Sequence, residues 1–360
     1  MNSSSSSTKK IDLALQGGGA HGAFTWGVLD RLLDDERIEI EGISGTSAGA
    51  MNAVALTQGL AGGGRKTAQE LLSGFWNRVS EAGRKSPIQR SFIDVMMGRW
   101  SLDQSPGFIL SEHLSRTFSP YELNPLNINP LRDIVADFFD FDVINRAPLP
   151  KLFLSATNVR TGRPKVFRQP AISVDTTMAS ACLPFLFQAV EIDGEAYWDG
   201  GYMGNPPIFP LIDETEARDI VIIQINPFTR PKIPRTAYEI QNRLNEITFN
   251  ASLMKELRAV AFLWEIIHHE GLERDAYRDG RLHLIQSEEE MLKLSVSSKL
   301  NSEWVFLQHL HDIGWRTAEN WLSQHFDDLG ERSSWRPTFL FEESLKPAHL
   351  AEGTDRKNRK

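Results

Sequence analysis

Ser47 stands in Gly45-Thr46-Ser47-Ala48-Gly49, between an apolar β-branched stretch and an Ala-rich one. At a strand-to-helix bend the two glycines let backbone and helix approach closely, and the serine hydroxyl is presented at a helix N-terminus as a nucleophile. The pentapeptide alone is equally a tight turn, so the rest of the chain decides. Upstream, Gly17-Gly18-Gly19-Ala20-His21-Gly22 also separates a strand-like run from a helix-like one, and its free N–H groups can converge on an anion. A serine beside backbone donors is the layout for acyl transfer, in which attack on a carbonyl is followed by a stabilised oxyanion.

An activated serine needs a base. The chain has nine histidines, but only His21 falls in a site-like turn, and it lies in the donor loop rather than at a strand end. Asp199, in Tyr197-Trp198-Asp199-Gly200-Gly201, directly follows a predicted strand, and its two glycines make a turn that exposes the carboxylate. Cys182 could also attack, but between Ala181, Leu183 and Pro184 it reads as a buried apolar thiol. His309-x-His311 and the pair His268-His269 are isolated, so no metal site is expected.

Several elements must position these groups. Residues 11–16 and 38–44 read as strands, 23–35 as a helix with apolar residues at helical spacing, 48–60 as a second, Ala-rich helix, and 61–66 as a flexible loop. Strand–helix–strand–helix implies parallel strands and an α/β architecture, whose sites lie at the edge where both turns open. From 87 to 150 seven prolines interrupt the pattern, and the stretch reads as an insertion able to cover a cleft. Strands return at 151–159, 164–167 and 219–226, the last suited to burial on both faces. Residues 189–201 form a hairpin around Asp193-Gly194. Long helices are expected over about 236–270 and 301–325.

A rival reading takes Gly17-x-Gly19-x-x-Gly22 as a dinucleotide fingerprint, with Glu39 or Glu41 on the ribose. The second strand, however, ends in the serine turn, where the ribose would have to bind. A P-loop is excluded, because no Gly-Lys-Ser/Thr follows.

Together these residues resemble the patatin-like phospholipases, whose motifs are G-G-G-x-[RK]-G, G-x-S-x-G and D-G-[AG]. Here they are Gly17–Gly22, Gly45–Gly49 and Asp199–Gly201, in the family order, and residues 179–187 resemble the segment that precedes the family's aspartate. The resemblance runs over residues 11 to 226. It implies a three-layer α/β/α sandwich with a mainly parallel central sheet and a Ser–Asp dyad without histidine. Ser47 would be the nucleophile and Asp199 the general base. Gly17, Gly18, Gly19 and Ala48 would form the oxyanion hole, supported by His21, Gly22, Gly45, Gly49, Gly200 and Gly201. The activity implied is that of a phospholipase A, lysophospholipase or lipid esterase, without metal or cofactor, acting on lipid esters during transient membrane contact through the apolar insertion at 87–150. One departure stands out. His21 replaces the family's Arg or Lys, so a group titrating near pH 6.5 is expected to steepen the activity profile between about pH 5.5 and 7.5. The competing readings are a catalytically silent or partner-activated lipid-binding protein on the same fold, and an α/β-hydrolase with a histidine triad, for which His283 is the candidate.

Composition sets the outer bounds. With 360 residues, 41% apolar and 24% charged, the chain suits one large domain or two medium ones. The reading adopted is a single domain over 11–345, helical from about 236, with a disordered arm at 1–10 and a disordered charged tail at 346–360. A net charge of −8 argues against a nucleic-acid partner. The single cysteine is compatible with a reducing compartment. The N-terminus lacks an apolar signal core and no run is long enough to span a membrane, so a cytoplasmic or peripheral membrane location is expected.

Overall fold

The computed structural model describes residues 8–270 and 280–337, with the side chains of Tyr238 and 263–270 left aside. The expected arm up to residue 7, the tail from 346, His349 and the side chains of His268 and His269 lie outside the described residues.

Eight strands form one sheet: β1 (Lys9–Leu15), β2 (Ile38–Gly45), β3 (Lys151–Asn158), β4 (Pro164–Arg168), β5 (Val190–Ile192), β6 (Glu195–Asp199), β7 (Asp219–Ile223) and β8 (Arg281–Ile285). The order is β5-β6-β3-β2-β1-β7-β8, with β4 also paired to β3. Strands β3, β2, β1, β7 and β8 are mutually parallel, while at one side β4 and β6 each pair antiparallel with β3, and β5 pairs antiparallel with β6.

Strand β7 shows why the sheet must be covered twice. All five of its residues are buried, and successive side chains point to opposite faces. Val221 and Ile223 join one apolar core and Ile220 and Ile222 a second. The first core takes α1 (Gly22–Leu33), α2 (Ala48–Gly62), α3 (Arg65–Gly83) and, further along the chain, the C-terminal helix over Trp304–His325; the second takes the helices over Phe209–Glu214 and Ala237–Glu270. The result is the three-layer α/β/α sandwich with a mainly parallel sheet.

The stretch from 87 to 150 is more regular than its prolines suggested. It holds α4 (Phe92–Met96), α5 (Pro106–Thr117), α6 (Pro120–Leu123), α7 (Pro130–Phe138) and α8 (Phe141–Arg146). Three of the prolines open helices: Pro106, Pro120 and Pro130 follow Ser105, Ser119 and Asn129 at the N-cap positions. Proline's fixed φ suits a first helical position, where its missing N–H costs nothing. The remaining helices are α9 (Val174–Ser180), α10 (Phe209–Glu214), α11 (Ala237–Glu270), α12 (Glu288–Leu292) and α13 (Trp304–His325). Helix α3 and strand β8 had no counterpart in the sequence reading. Strand β1 begins two residues before its expected start, with the Lys9 N–H donating to the Arg37 carbonyl at 2.7 Å.

Candidate active site

Strand β2 ends at Gly45 and helix α2 begins at Ala48. Ser47 lies between them at φ 55°, ψ −120°, a conformation that L residues rarely adopt. Strain of that kind costs of order 1–3 kcal/mol and persists only where the surroundings impose it. They do so here through hydrogen bonds. The Ser47 N–H donates to Ser180 Oγ at 3.0 Å, Thr46 Oγ1 to the Gly204 carbonyl at 2.6 Å, and the Gly49 N–H to the Thr46 carbonyl at 2.8 Å. Ser47 makes no side-chain cap hydrogen bond to α2, and it alone of the turn 45–49 is partly exposed. Its hydroxyl is therefore not taken up in capping α2 and reaches the surface of the turn.

The glycine loop lies directly over this serine. A Cβ on Gly17 would fall 2.8 Å from the Ser47 Cβ and 2.7 Å from the Thr46 carbonyl oxygen, so no larger residue fits. The loop is held by buried amides that the sequence reading did not single out. The Gly17 N–H donates to Asn205 Oδ1 at 2.7 Å, and Asn226 Nδ2 donates to the Gly17 carbonyl at 2.9 Å. Gln16 Oε1 accepts from the N–H groups of Ile225 and Asn226 at 2.8 and 2.7 Å. This corrects one expectation: the Gly17 N–H is taken by Asn205 and is not an oxyanion donor. Among the described residues no protein acceptor takes the N–H of Gly18, Gly19 or Ala48. Gly22, Gly45 and Gly49 lie in the same two turns, and Gly200 and Gly201 form a 3-10 turn after Asp199.

Asp199 closes strand β6 and is fully buried. Its Oδ1 accepts from the Gly201 N–H at 2.7 Å, and its own N–H donates to the Cys182 carbonyl at 2.8 Å. Residues 180–182 thus bind the serine turn at one end and the aspartate at the other. Among the described residues no group lies within ordinary hydrogen-bonding distance of its buried Oδ2. Burial pushes the carboxyl up to about 6, against the opposing pull of the Gly201 N–H, the Ser47 hydroxyl and the Lys299 charge. A carboxylate poised near neutrality within reach of a serine hydroxyl is suited to general-base work.

His21 is not the titrating group that its type suggested. It is buried, with Nε2 at 2.7 Å from Ser298 Oγ. Burial, and then the charge of Lys299, hold it well below the usual imidazole range, so it is neutral across the working pH. The cation beside the site is Lys299, which the sequence reading passed over, in a 3-10 turn over Ser297–Leu300. Its Nζ donates to Asn226 Oδ1 at 2.7 Å and Asn245 Oδ1 at 3.1 Å. Burial brings the ammonium down to about 8, against the favourable charges of Glu246 and Asp199. Gly19 takes φ +59° beneath the Lys299 carbonyl, a position closed to any side chain.

His283 cannot serve as a triad base. Its Nε2 lies 2.9 Å from Asp219 Oδ1 and its Nδ1 2.9 Å from Ser334 Oγ. Asp219 opens β7, whereas Gly45, ahead of the serine, is in register with Leu15 and so with Ile223 at the strand's far end. His283 itself, on β8, is in register with Val221, three inter-strand spacings or roughly 14 Å across the sheet from β2. Of the other described histidines, His311 contacts Asp30, His325 contacts Asp328, His309 stacks on Trp100, and His113 is exposed on α5. Cys182 is buried, and that burial pushes its thiol up to about 12.

A profile described as patatin-like phospholipase matches residues 13–212 of the chain. No curated protein matches its sequence. Among solved structures, the chain is similar to VipD from Legionella pneumophila, at 17% identity and a TM-score of 0.37, over 85% of this chain and 67% of that one. It is also similar to the type III effector ExoU, at 14% identity and a TM-score of 0.34, over 88% of this chain and 53% of that one. In the ExoU–SpcU heterodimer from the type III secretion system of Pseudomonas aeruginosa the identity is 17% and the TM-score 0.32, over 93% of this chain and 74% of that one.

Proposed function

Because the chain belongs to the patatin-like phospholipase family, a family of lipid acyl hydrolases, we propose that it cleaves fatty-acyl esters with a Ser47–Asp199 dyad. The observation that carries this reading is a buried carboxylate, one oxygen with no partner at ordinary hydrogen-bonding distance among the described residues, beside the hydroxyl of a strained serine under a loop of free N–H groups. Ser47 Oγ attacks the ester carbonyl while Asp199 takes its proton. The carbonyl oxygen becomes an oxyanion, held by the N–H groups of Gly18, Gly19 and Ala48 at the positive end of α2. Collapse expels the alcohol, which leaves with the proton from Asp199, and Ser47 is acylated. Asp199 then takes a proton from water, whose oxygen attacks the acyl carbonyl. The fatty acid departs as the proton returns to Ser47. Esters suit a weak base of this kind, because an alkoxide leaving group needs less proton assistance than an amine. Substrates are phospholipids, lysophospholipids or related lipid esters, met in transient contact with a membrane surface.

The test is labelling by a fluorophosphonate probe alongside turnover of a p-nitrophenyl ester. Wild type is expected to label and turn over, Ser47→Ala to do neither, and Asp199→Asn to lose turnover while remaining folded. Full activity in Asp199→Asn would place the base elsewhere. A wild type that neither labels nor turns over would favour the silent or partner-activated reading.

A further inference from the structure

Helix α4 is inverted. Its acid, Asp94, is buried, with Oδ2 accepting from Ser91 Oγ at 2.7 Å. Its apolar residues face outward instead: Phe92 is 76% exposed, Met96 72% and Met97 58%, with Ile93 and Val95 more than half exposed or close to it. Single exposed apolar side chains are ordinary, but a helical turn that hides its acid and presents five neighbouring apolar side chains is not. The surrounding charge is equally specific. Between residues 84 and 100 there are four cations and one acid, in a chain whose net charge is −8. Arg90 is paired with Glu303, while Arg84, Lys85 and Arg99 are exposed.

The base of this loop is tied to the neighbourhood of the glycine loop. The Arg90 guanidinium lies over Trp100, Trp100 packs on Phe306 with ring centroids 5.1 Å apart, and Phe306 meets His21 edge-on at 6.2 Å. The Leu102 N–H donates to Ser297 Oγ at 2.9 Å, two residues before Lys299. Trp100 and Phe306 thus link Arg90, at the base of the apolar turn, to His21 of Gly17–Gly22.

We propose that α4 and Met97 are an interfacial anchor that docks the protein on an anionic phospholipid surface. The apolar tips enter the acyl boundary, and Arg84, Lys85 and Arg99 meet headgroup phosphates. The anchor rests on the lipid-hydrolase reading for its purpose, but its binding is measured without turnover.

The experiment uses the full chain carrying Ser47→Ala, so that vesicles stay intact, floated with vesicles of phosphatidylcholine alone or of phosphatidylcholine and phosphatidylglycerol at about 7:3. Binding to the mixed vesicles is expected to exceed binding to phosphatidylcholine. Met96→Asp/Met97→Asp should lower it on the order of ten-fold or more, since two apolar side chains no longer enter lipid. Arg84→Glu/Lys85→Glu should lower it at least roughly five-fold per cation and erase the preference for the anionic vesicles. In the Ser47-intact background the Met96→Asp/Met97→Asp protein should turn over a soluble ester at the wild-type rate, which shows that it is folded. Vesicle binding unchanged by these substitutions, or absent from the parent protein, overturns the proposal. A dimer that dissociates in the variants, with no change in flotation, assigns the face to a second copy and overturns it too. Failure of the hydrolase reading would appear separately, as vesicle binding without soluble-ester turnover in the Ser47-intact protein.

Discussion

Replacing Asp199 by Asn should make the protein more stable and much less active. The carboxyl is fully buried, and burial pushes it from the ordinary 3.8 up to about 6. At about 1.4 kcal/mol per pH unit, holding it ionised at neutral pH costs the fold about 3 kcal/mol. The folded value lies above the unfolded one, so the folded chain binds the proton more tightly between about pH 4 and 6. Stability therefore falls through that window, and the cost is complete above it. Asn does not titrate, and its side-chain oxygen can still accept from the Gly201 N–H that now bonds Oδ1 at 2.7 Å. Urea unfolding of both proteins should show a small difference near pH 4 that grows to about 3 kcal/mol in favour of Asn at pH 7.5. Turnover of a soluble ester should drop about 10²–10⁴-fold, the usual contribution of a general base. An Asn variant that is less stable than wild type at pH 7.5, or a stability gap independent of pH, would refute the reasoning.

Three further outcomes follow from the same site. Ser47→Gly should be about 1 kcal/mol more stable than Ser47→Ala in thermal or urea unfolding, because only glycine relieves the φ of 55°; equal stabilities would remove the strain argument. On a soluble ester kcat/KM should fall about ten-fold per pH unit below about pH 6 as Asp199 is protonated, and His21→Gln should leave that limb in place, since His21 is already neutral. Lys299→Met removes a charge that lowers the Asp199 carboxyl, so the acid limb should move to higher pH, while Lys299→Arg should hold it where it is; identical profiles in all three proteins would show that Lys299 does not act on the base.

The local grammar of the site was legible in the chain. Gly17–Gly22 and Gly45–Gly49 each lie between a strand-like apolar run and a helix, the first helix marked by apolar spacing and the second by its Ala-rich composition, and such punctuation is written in consecutive residues. The Asp193-Gly194 hairpin before Asp199 was legible for the same reason, with φ of 53° and 78° at its two turn residues. The helices between residues 87 and 150 were obscured because prolines that open helices look, in a string of letters, like prolines that break them.

What only the tertiary structure decided is where distant side chains meet. Asn205, Asn226 and Lys299 converge on Gly17–Gly19 from segments 188 or more residues away, and no spacing rule marks an amide or an amine for that task. The sequence made His21 the titrating group and the Gly17 N–H a donor. Packing made the imidazole neutral and gave the Gly17 N–H to Asn205. Residue type sets which protons and charges a chain can use. Burial and neighbouring charge, which exist only once the sheet and its two helical layers have assembled, set which of them it does use.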